Sequence, residues 1–268
     1  MILIKKSVFI TGAGSGLGKL AAIALARRGH KVYATTHYQN QVDDLNNIST
    51  KEGLNLESFK LDILIDNDRN IIKNYDIDVL ICNAAIGDSG SVADIYVDRI
   101  EQVFNTNVFC NLRVIQLALE NMIKIKKKGR IVFLSSLAGR ISFPFLSPYC
   151  ASKFALESFA SSLNKEMKNL KDAKIDIVIL EPGAYATGFN KENNEKKYEW
   201  MYEHSYFSNL ADKLRKKEEI KWNLIEVKPF NSIIKKYIKA VESNKPKLRY
   251  SATWWQALGV QLARIFGK

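Results

Sequence analysis

Residues 7–18 read SVFITGAGSGLG and run on into KLAAIALARRG. A short, β-branched apolar run ends in four glycines and is followed by a segment rich in Ala and Leu, which is the order strand, tight turn, helix. In that order the amides of the turn and the positive end of the helix face any anion placed there. Glycine allows positive φ and close approach of backbone to a phosphate. The spacing departs from the common dinucleotide fingerprint G-x-G-x-x-G, because a third glycine counted from Gly12 would fall on Leu17. The acid that usually follows about 20 residues later is missing as well, since the next strand reads KVYATTHY. A bare turn without ligand stays open as the alternative.

The 268 residues are 47% hydrophobic and 25% charged, enough apolar material for one sizeable α/β core. Short apolar runs stand at SVFI, HKVYAT, LESFKL, DVLICN, RIVFLS and IDIVIL, with helix-length segments at 16–28, 94–126 and 148–168 between them. Their alternation predicts a Rossmann-type, doubly wound parallel sheet with helices on both faces, in a single domain over 1–268. Only a small crossover helix fits between Asp62 and Asp78. Residues 190–228 are polar and aromatic without a strand signal, and suit a lid or a pocket-building insertion. The separated Cys82, Cys110 and Cys150 fit reduced thiols and a cytoplasmic setting. The three histidines have no metal spacing, so no metal is expected. A formal charge of +12 is spread over many segments, which favours a solvated surface over a polyanion site, and no nucleic-acid partner is expected.

Several motifs then occur in one order. T-G-x-x-x-G-x-G resembles the glycine turn of the short-chain dehydrogenase/reductase superfamily, and the likeness extends over almost the whole chain. Cys82-Asn83-Ala84-Ala85 is similar to that family's N-N-A-G, with Cys and Ala replacing its first and last members. Asp62 in KLDI is similar to the acid whose region holds the adenine. NTNV places Asn107 at the family's helix-borne catalytic Asn, SSLAG (135–139) its serine, YCASK its Y-x-x-x-K, and EPGAYATGF its P-G-x-x-x-T. The resemblance implies a catalytic set of Asn107, Ser136, Tyr149 and Lys153, with Asn107 holding a water that links the lysine to solvent. It implies a cofactor site of Gly12, Gly14, Ser15, Gly16, Leu17, Gly18, Thr36, His37, Asp62, Ile63, Asn83, Ala84, Ala85, Tyr149, Lys153, Pro182, Gly183, Tyr185 and Thr187. Thr187 is given the nicotinamide carboxamide.

Chemistry makes these residue types cohere. Tyr149 and Lys153 are four apart and share one helix face, although such a pair alone is common on helix surfaces. A phenol is a poor base at neutral pH, and a neighbouring ammonium favours its phenolate. Tyr149 would then exchange a proton with a carbonyl or hydroxyl oxygen that Ser136 orients. With Thr35, Thr36 and His37 at the end of the second strand, no acid repels a 2′-phosphate, so NADP(H) is favoured over NAD(H). The run SSLAGRISFPFLSPYCASKFALESFASSL resembles the steroid- and retinol-dehydrogenase-like branch, and the insertion 190–228 suits a pocket for a bulkier, fairly apolar carbonyl or alcohol. Phe143, Phe145, Tyr185 and Phe189 are pocket candidates. A 3-oxoacyl-carrier-protein reductase is the rival within the enzymes, and a non-catalytic nucleotide sensor the rival outside them. Family analogy implies a homodimer or homotetramer through the helices carrying Asn107 and Tyr149.

The segment 252–268 is amphipathic, with Gln256, Gln261, Arg264 and Lys268 on one side and Trp254, Trp255, Leu258, Leu262, Ile265 and Phe266 on the other. Docking on protein and contact with a membrane surface both fit, the former being favoured.

Overall fold

Six of the strands fall on the six apolar runs: β1 (Ser7–Ile10), β2 (Lys31–Thr36), β3 (Leu56–Lys60), β4 (Val79–Cys82), β5 (Gly129–Leu134) and β6 (Ile175–Pro182). A seventh, β7 (Arg249–Ala252), lies in a stretch whose sequence carries no strand signal. Only Tyr250 and Ala252 of its residues are buried, so the alternation is too short and too polar to stand out. The structure is a computed structural model and describes residues 4–267. The strands form one sheet in the order β3-β2-β1-β4-β5-β6-β7, parallel throughout. This is the doubly wound arrangement expected from the strand–helix alternation.

Period-two alternation decides which helix covers which face. Val8 and Ile10 of β1 point to one side, where they meet Ala21, Ala22 and Leu25 of α1 (Gly16–Arg27), Leu45 of α2 (Gln39–Glu52) and Ile233 and Tyr237 of α9 (Asn231–Glu242). Phe9 points to the other, where Val114, Ile115 and Ala118 of α5 (Asn111–Lys124) and Leu156 and Ala160 of α6 (Ser147–Glu166) close the second layer. The crossover between β3 and β4 is short, as expected: α3 (Asp66–Asn70) and a 3₁₀ turn, Ile71–Asn74. Before α5 the chain forms α4 (Val97–Phe104) and then a π-helical turn, Asn105–Cys110, that contains Asn107.

The excursion after β6 is helical. It folds into α7 (Phe189–His204) and α8 (Ala211–Ile225). Tyr198, Trp200, Met201 and Ala211 share a small core with Ile95, and Lys197 is ion-paired to Glu218 across the two helices. The chain ends in α10 (Trp254–Ile265). Trp254, Leu258, Leu262, Ile265 and Phe266 are exposed, so within the described residues the apolar side of the C-terminal segment is not the side that meets the body. Lys268 lies outside the described residues.

The turn after β1 leaves little room. A Cβ on Gly18 would fall on the Asn83 carboxamide and 2.6 Å from the Gly12 carbonyl oxygen. Alanine normally gains about 1 kcal/mol over glycine in a helix, but here the overlap outweighs it. We expect Gly18→Ala to cost about 1–3 kcal/mol, read as a lower melting temperature. An unchanged melting temperature would mean that the turn has slack the packing does not suggest.

Candidate active site

The carboxyl ends of β1 to β6 converge on one edge, and the strand order reverses between β1 and β4. That is where open α/β sheets bind their ligands. A cleft of about 1300 Å³ runs along this edge. Its floor at one end is the glycine turn. Ser15 is the N-cap of α1 yet makes no side-chain capping bond, and no acid stands in the first turn. The leading amides of α1 therefore keep their donors for something in the cleft. Asn83 fixes the turn: its Nδ2 donates to the carbonyls of Thr11 (3.1 Å) and Gly12 (2.8 Å), and its Oδ1 accepts from the Tyr237 hydroxyl (3.0 Å).

Further along, β5 and α6 bring three polar groups together. Ser136 lies two residues past the strand and caps a 3₁₀ turn, its Oγ accepting from the Ala138 amide (3.1 Å) and lying 3.5 Å from the Pro182 carbonyl. Ser135, its neighbour, is buried and borders the same cleft. Tyr149 sits in the first turn of α6, and Lys153 one turn later lies with its Nζ 5.5 Å from the Tyr149 ring centroid. Lys153 is almost wholly buried and donates to the Leu134 carbonyl at 2.8 Å. Burial pushes the Tyr149 phenol up to about 12, against a hydrogen bond with Ser136 that pulls it down. Burial also draws the Lys153 ammonium down to about 7. The sequence reading had the lysine bring the phenol towards neutrality; in the structure desolvation is the larger influence on both groups.

Residues 6–198 match the sequence profile of the short chain dehydrogenase family, a span that holds the glycine turn, Ser136, Tyr149, Lys153 and the Pro182–Thr187 segment. The chain belongs to that family. It is 30% identical over 261 residues to the probable short-chain type dehydrogenase/reductase VdlC of Helicobacter pylori, covering 93% of this chain and 94% of that protein. It is 29% identical over 262 residues to 17-beta-hydroxysteroid dehydrogenase type 1 of Homo sapiens, covering 92% and 77%. A steroid-dehydrogenase-like relative is thus among its kin, as the run around Tyr149 implied. The solved short chain dehydrogenase/reductase of Burkholderia phymatum, in complex with NAD, has a TM-score of 0.82 at 19% identity, covering 99% of this chain and 95% of that one. At that identity the likeness concerns the fold.

Against this family's pattern, the cleft brings together Gly12, Gly14, Ser15, Gly16, Leu17, Gly18, His37, Asp62, Ile63, Asn83, Ala84, Ala85, Ser136, Tyr149, Lys153, Pro182, Gly183, Tyr185 and Thr187. Two expected residues do not line it. Thr36 is fully buried, and its Oγ1 donates to the Tyr38 carbonyl (3.0 Å). Asn107 is also fully buried: its Nδ2 donates to the Ile86 carbonyl (2.9 Å) and Ser152 Oγ (3.1 Å), and its Oδ1 accepts from the Ile86 amide (2.8 Å). Among the aromatic candidates, Phe143 and Phe189 line the cleft, Phe189 packing on Tyr149 at 5.6 Å. Phe145 instead packs on Phe207, and the Tyr185 hydroxyl turns to Ser232 (2.6 Å).

Sequence reasoning missed Tyr38 and Gln41 beside the glycine turn, and Trp222, Trp255 and Gln256 on the far wall. Gln256 is the most consequential, since its Oε1 accepts from the Ala184 amide (2.8 Å) and its Nε2 donates to the Ile225 carbonyl (2.7 Å). No short motif announces a wall built from a helix some 70 residues away.

The lysine carries a stability signature. Its ordinary value of 10.5 falls to about 7 in the fold, so between those values the unfolded chain binds a proton that the folded chain lacks. Unfolding free energy from this group therefore rises with pH across the window, and the gain is lost as pH falls towards 7. Lys153→Met should abolish this component. The rise in melting temperature from pH 7 to about pH 9 should be smaller in the variant than in the wild type; equal rises would contradict a buried ammonium.

Proposed function

We propose that this protein is an NAD(P)-dependent oxidoreductase that moves a hydride between nicotinamide and the reacting carbon of a fairly apolar carbonyl or alcohol, with Tyr149 as general acid/base. The observation that carries the reading is the meeting of Tyr149, Ser136 and Lys153 in one cleft that starts at an uncapped helix end and finishes against aromatic side chains. The residues fit a dinucleotide: the free first-turn amides of α1 suit a pyrophosphate, Asp62 and Ile63 suit the adenine, and Thr187, whose Cβ would lie 3.7 Å from a Cβ on Gly16, closes over the turn. When bound, the nicotinamide supplies or accepts the hydride.

The chain's own residues do the rest. Ser136 and Tyr149 hold the substrate oxygen. In reduction the phenol, kept protonated by its burial, gives its proton to that oxygen as negative charge develops there. Lys153, anchored on Leu134, then faces the resulting phenolate and stabilises it. The Asn107 carboxamide is engaged on both sides, so Asn107 acts by positioning the Ile86 loop and α6 through Ser152. NADP(H) remains the favoured cofactor because no acid ends β2; His37, which lines the cleft there, has its Nδ1 3.5 Å from the Asp62 carboxylate. Lys19 is paired with Asp44 and contributes less. Lys221, above the Phe143 and Trp222 rings (5.0 and 5.7 Å), supports a 3-oxoacyl carrier-protein thioester as the second reading. Exposed Phe109, Phe154 and Phe159 near and along α5 and α6 support a homodimer or homotetramer through those helices.

A hydride-transfer assay over short and long ketones, alcohols and 3-oxoacyl thioesters, with each nicotinamide form, tests the proposal. Tyr149→Phe should lower kcat about 10²- to 10⁴-fold while cofactor affinity, read by fluorescence titration, stays within a few-fold. Near-normal turnover would remove Tyr149 from the acid/base role. His37→Asp should weaken NADP(H) relative to NAD(H) by at least about tenfold; an unchanged ratio would place cofactor choice elsewhere.

A further inference from the structure

α10 meets the body with its polar and small residues. Gln256, Gly259, Val260 and Ala263 line the cleft, while Trp254, Leu258, Leu262 and Ile265, spaced for one helix face, stand in solvent, Trp254 at 77% exposure. α8 borders the same cleft through Trp222 and Ile225 and leaves Ile220 and Leu224 exposed, the latter also at 77%. The two helices are joined at the mouth by the Gln256–Ile225 hydrogen bond. Trp255 belongs to both surfaces, lining the cleft and remaining nearly half-exposed. An apolar outer face is thus continuous with the interior of the cavity.

The exposed charge beside the apolar residues of α8 is mainly basic, with Asp212 and Glu219 at its flank. On α10 itself the charged residue is Arg264, which is exposed. On α8, Lys213, Lys216 and Lys217 are exposed and share a helix side with Ile220 and Leu224. A second copy seated on this face about a two-fold axis would set these like charges against each other. An anionic surface would neutralise them.

We propose that α8 and α10 seat the mouth of the cleft on an anionic phospholipid surface, from which an apolar substrate enters without crossing water. The route of the substrate rests on the oxidoreductase reading; the seating itself does not. Apolar side chains would enter the acyl boundary and the lysines would face the headgroups, the geometry of an interfacial amphipathic helix.

The test mixes the whole protein with vesicles of phosphatidylglycerol and phosphatidylcholine, or of phosphatidylcholine alone, and reads flotation and tryptophan emission. The wild type should float with the anionic vesicles, with blue-shifted emission, and not with the neutral ones; added salt should release it. The double variant L258E/I265E should float at least about tenfold less, while turnover of a short water-soluble ketone stays within about twofold of the wild type. Charge reversal in K213E/K217E should also weaken flotation, and it keeps the test sound if the first variant misfolds. Absence of wild-type flotation, equal flotation of both variants, or dissociation of a dimer by L258E/I265E without any wild-type vesicle binding would overturn the proposal. Flotation without turnover of any carbonyl or alcohol would instead sink the oxidoreductase reading and leave the seating standing.

Discussion

Asn83 holds the glycine turn to the neighbouring strand, and the architecture of the cleft depends on it. Its amide nitrogen donates to two carbonyls of the turn and its oxygen takes the buried Tyr237 hydroxyl. From the other direction, Thr11 Oγ1 accepts from the backbone amides of Asn83 and Ala84, each at 3.1 Å. β1, β4 and α9 are thereby locked where the sheet reverses its winding. Thr11 and Tyr237 lie out of water, so losing the asparagine carboxamide would leave the Thr11 carbonyl and the Tyr237 hydroxyl without it, at about 1–3 kcal/mol apiece. The side chain that appears in sequence as one letter of a motif is the bolt that sets the turn's height above the sheet.

A second constraint is the shared burial of Tyr149 and Lys153. Desolvation disfavours the charged form of each, so it drives the phenol up and the ammonium down. Burial therefore favours the neutral form of each group. A neutral phenol is what protonation of a developing alkoxide needs. Under the proposed mechanism a phenolate left behind would in turn favour the protonated form of Lys153. Ser136 works in the opposite sense to burial by stabilising the phenolate through a hydrogen bond, which limits the cost of that charge. The nearby Cys150 is also buried, with its thiol pushed up.

The sequence made the sheet and the polar trio legible because both are written locally. β-branched runs mark strands, and the Tyr–Lys spacing marks one face of a helix. β7 escaped because an edge strand of four residues, two of them polar, shows neither strong alternation nor length. Thr36 and Asn107 were read as site residues by position, but their side chains find backbone partners inside the fold. Rotamer choice of that kind is a tertiary outcome. Helical periodicity likewise divided α10 into an apolar and a polar side, but the side that meets the cleft is Trp255, Gln256, Gly259, Val260 and Ala263, which coincides with neither. That depended on what lay opposite: backbone groups at Ala184 and Ile225 needing partners, which an amide can supply and a leucine cannot.

This last contact links the ends of the molecule. The Gln256 Oε1 occupies the space that a side chain on residue 183 would fill, and the Gly183 amide donates to the Ala252 carbonyl at the end of β7. Gly183 is therefore dictated by the close approach of α10 as well as by the turn after β6. Pro182 and Gly183 line the cleft beside Ser136, so α10 is part of the wall against which a substrate would rest. The helix that presents its apolar face outward holds the inner surface of the site with its opposite face. Gln256 is not alone in this, since Arg140, just beyond Ser136, donates to the Gln261 Oε1 of the same helix (3.1 Å), and Gly259, Val260 and Ala263 complete the wall.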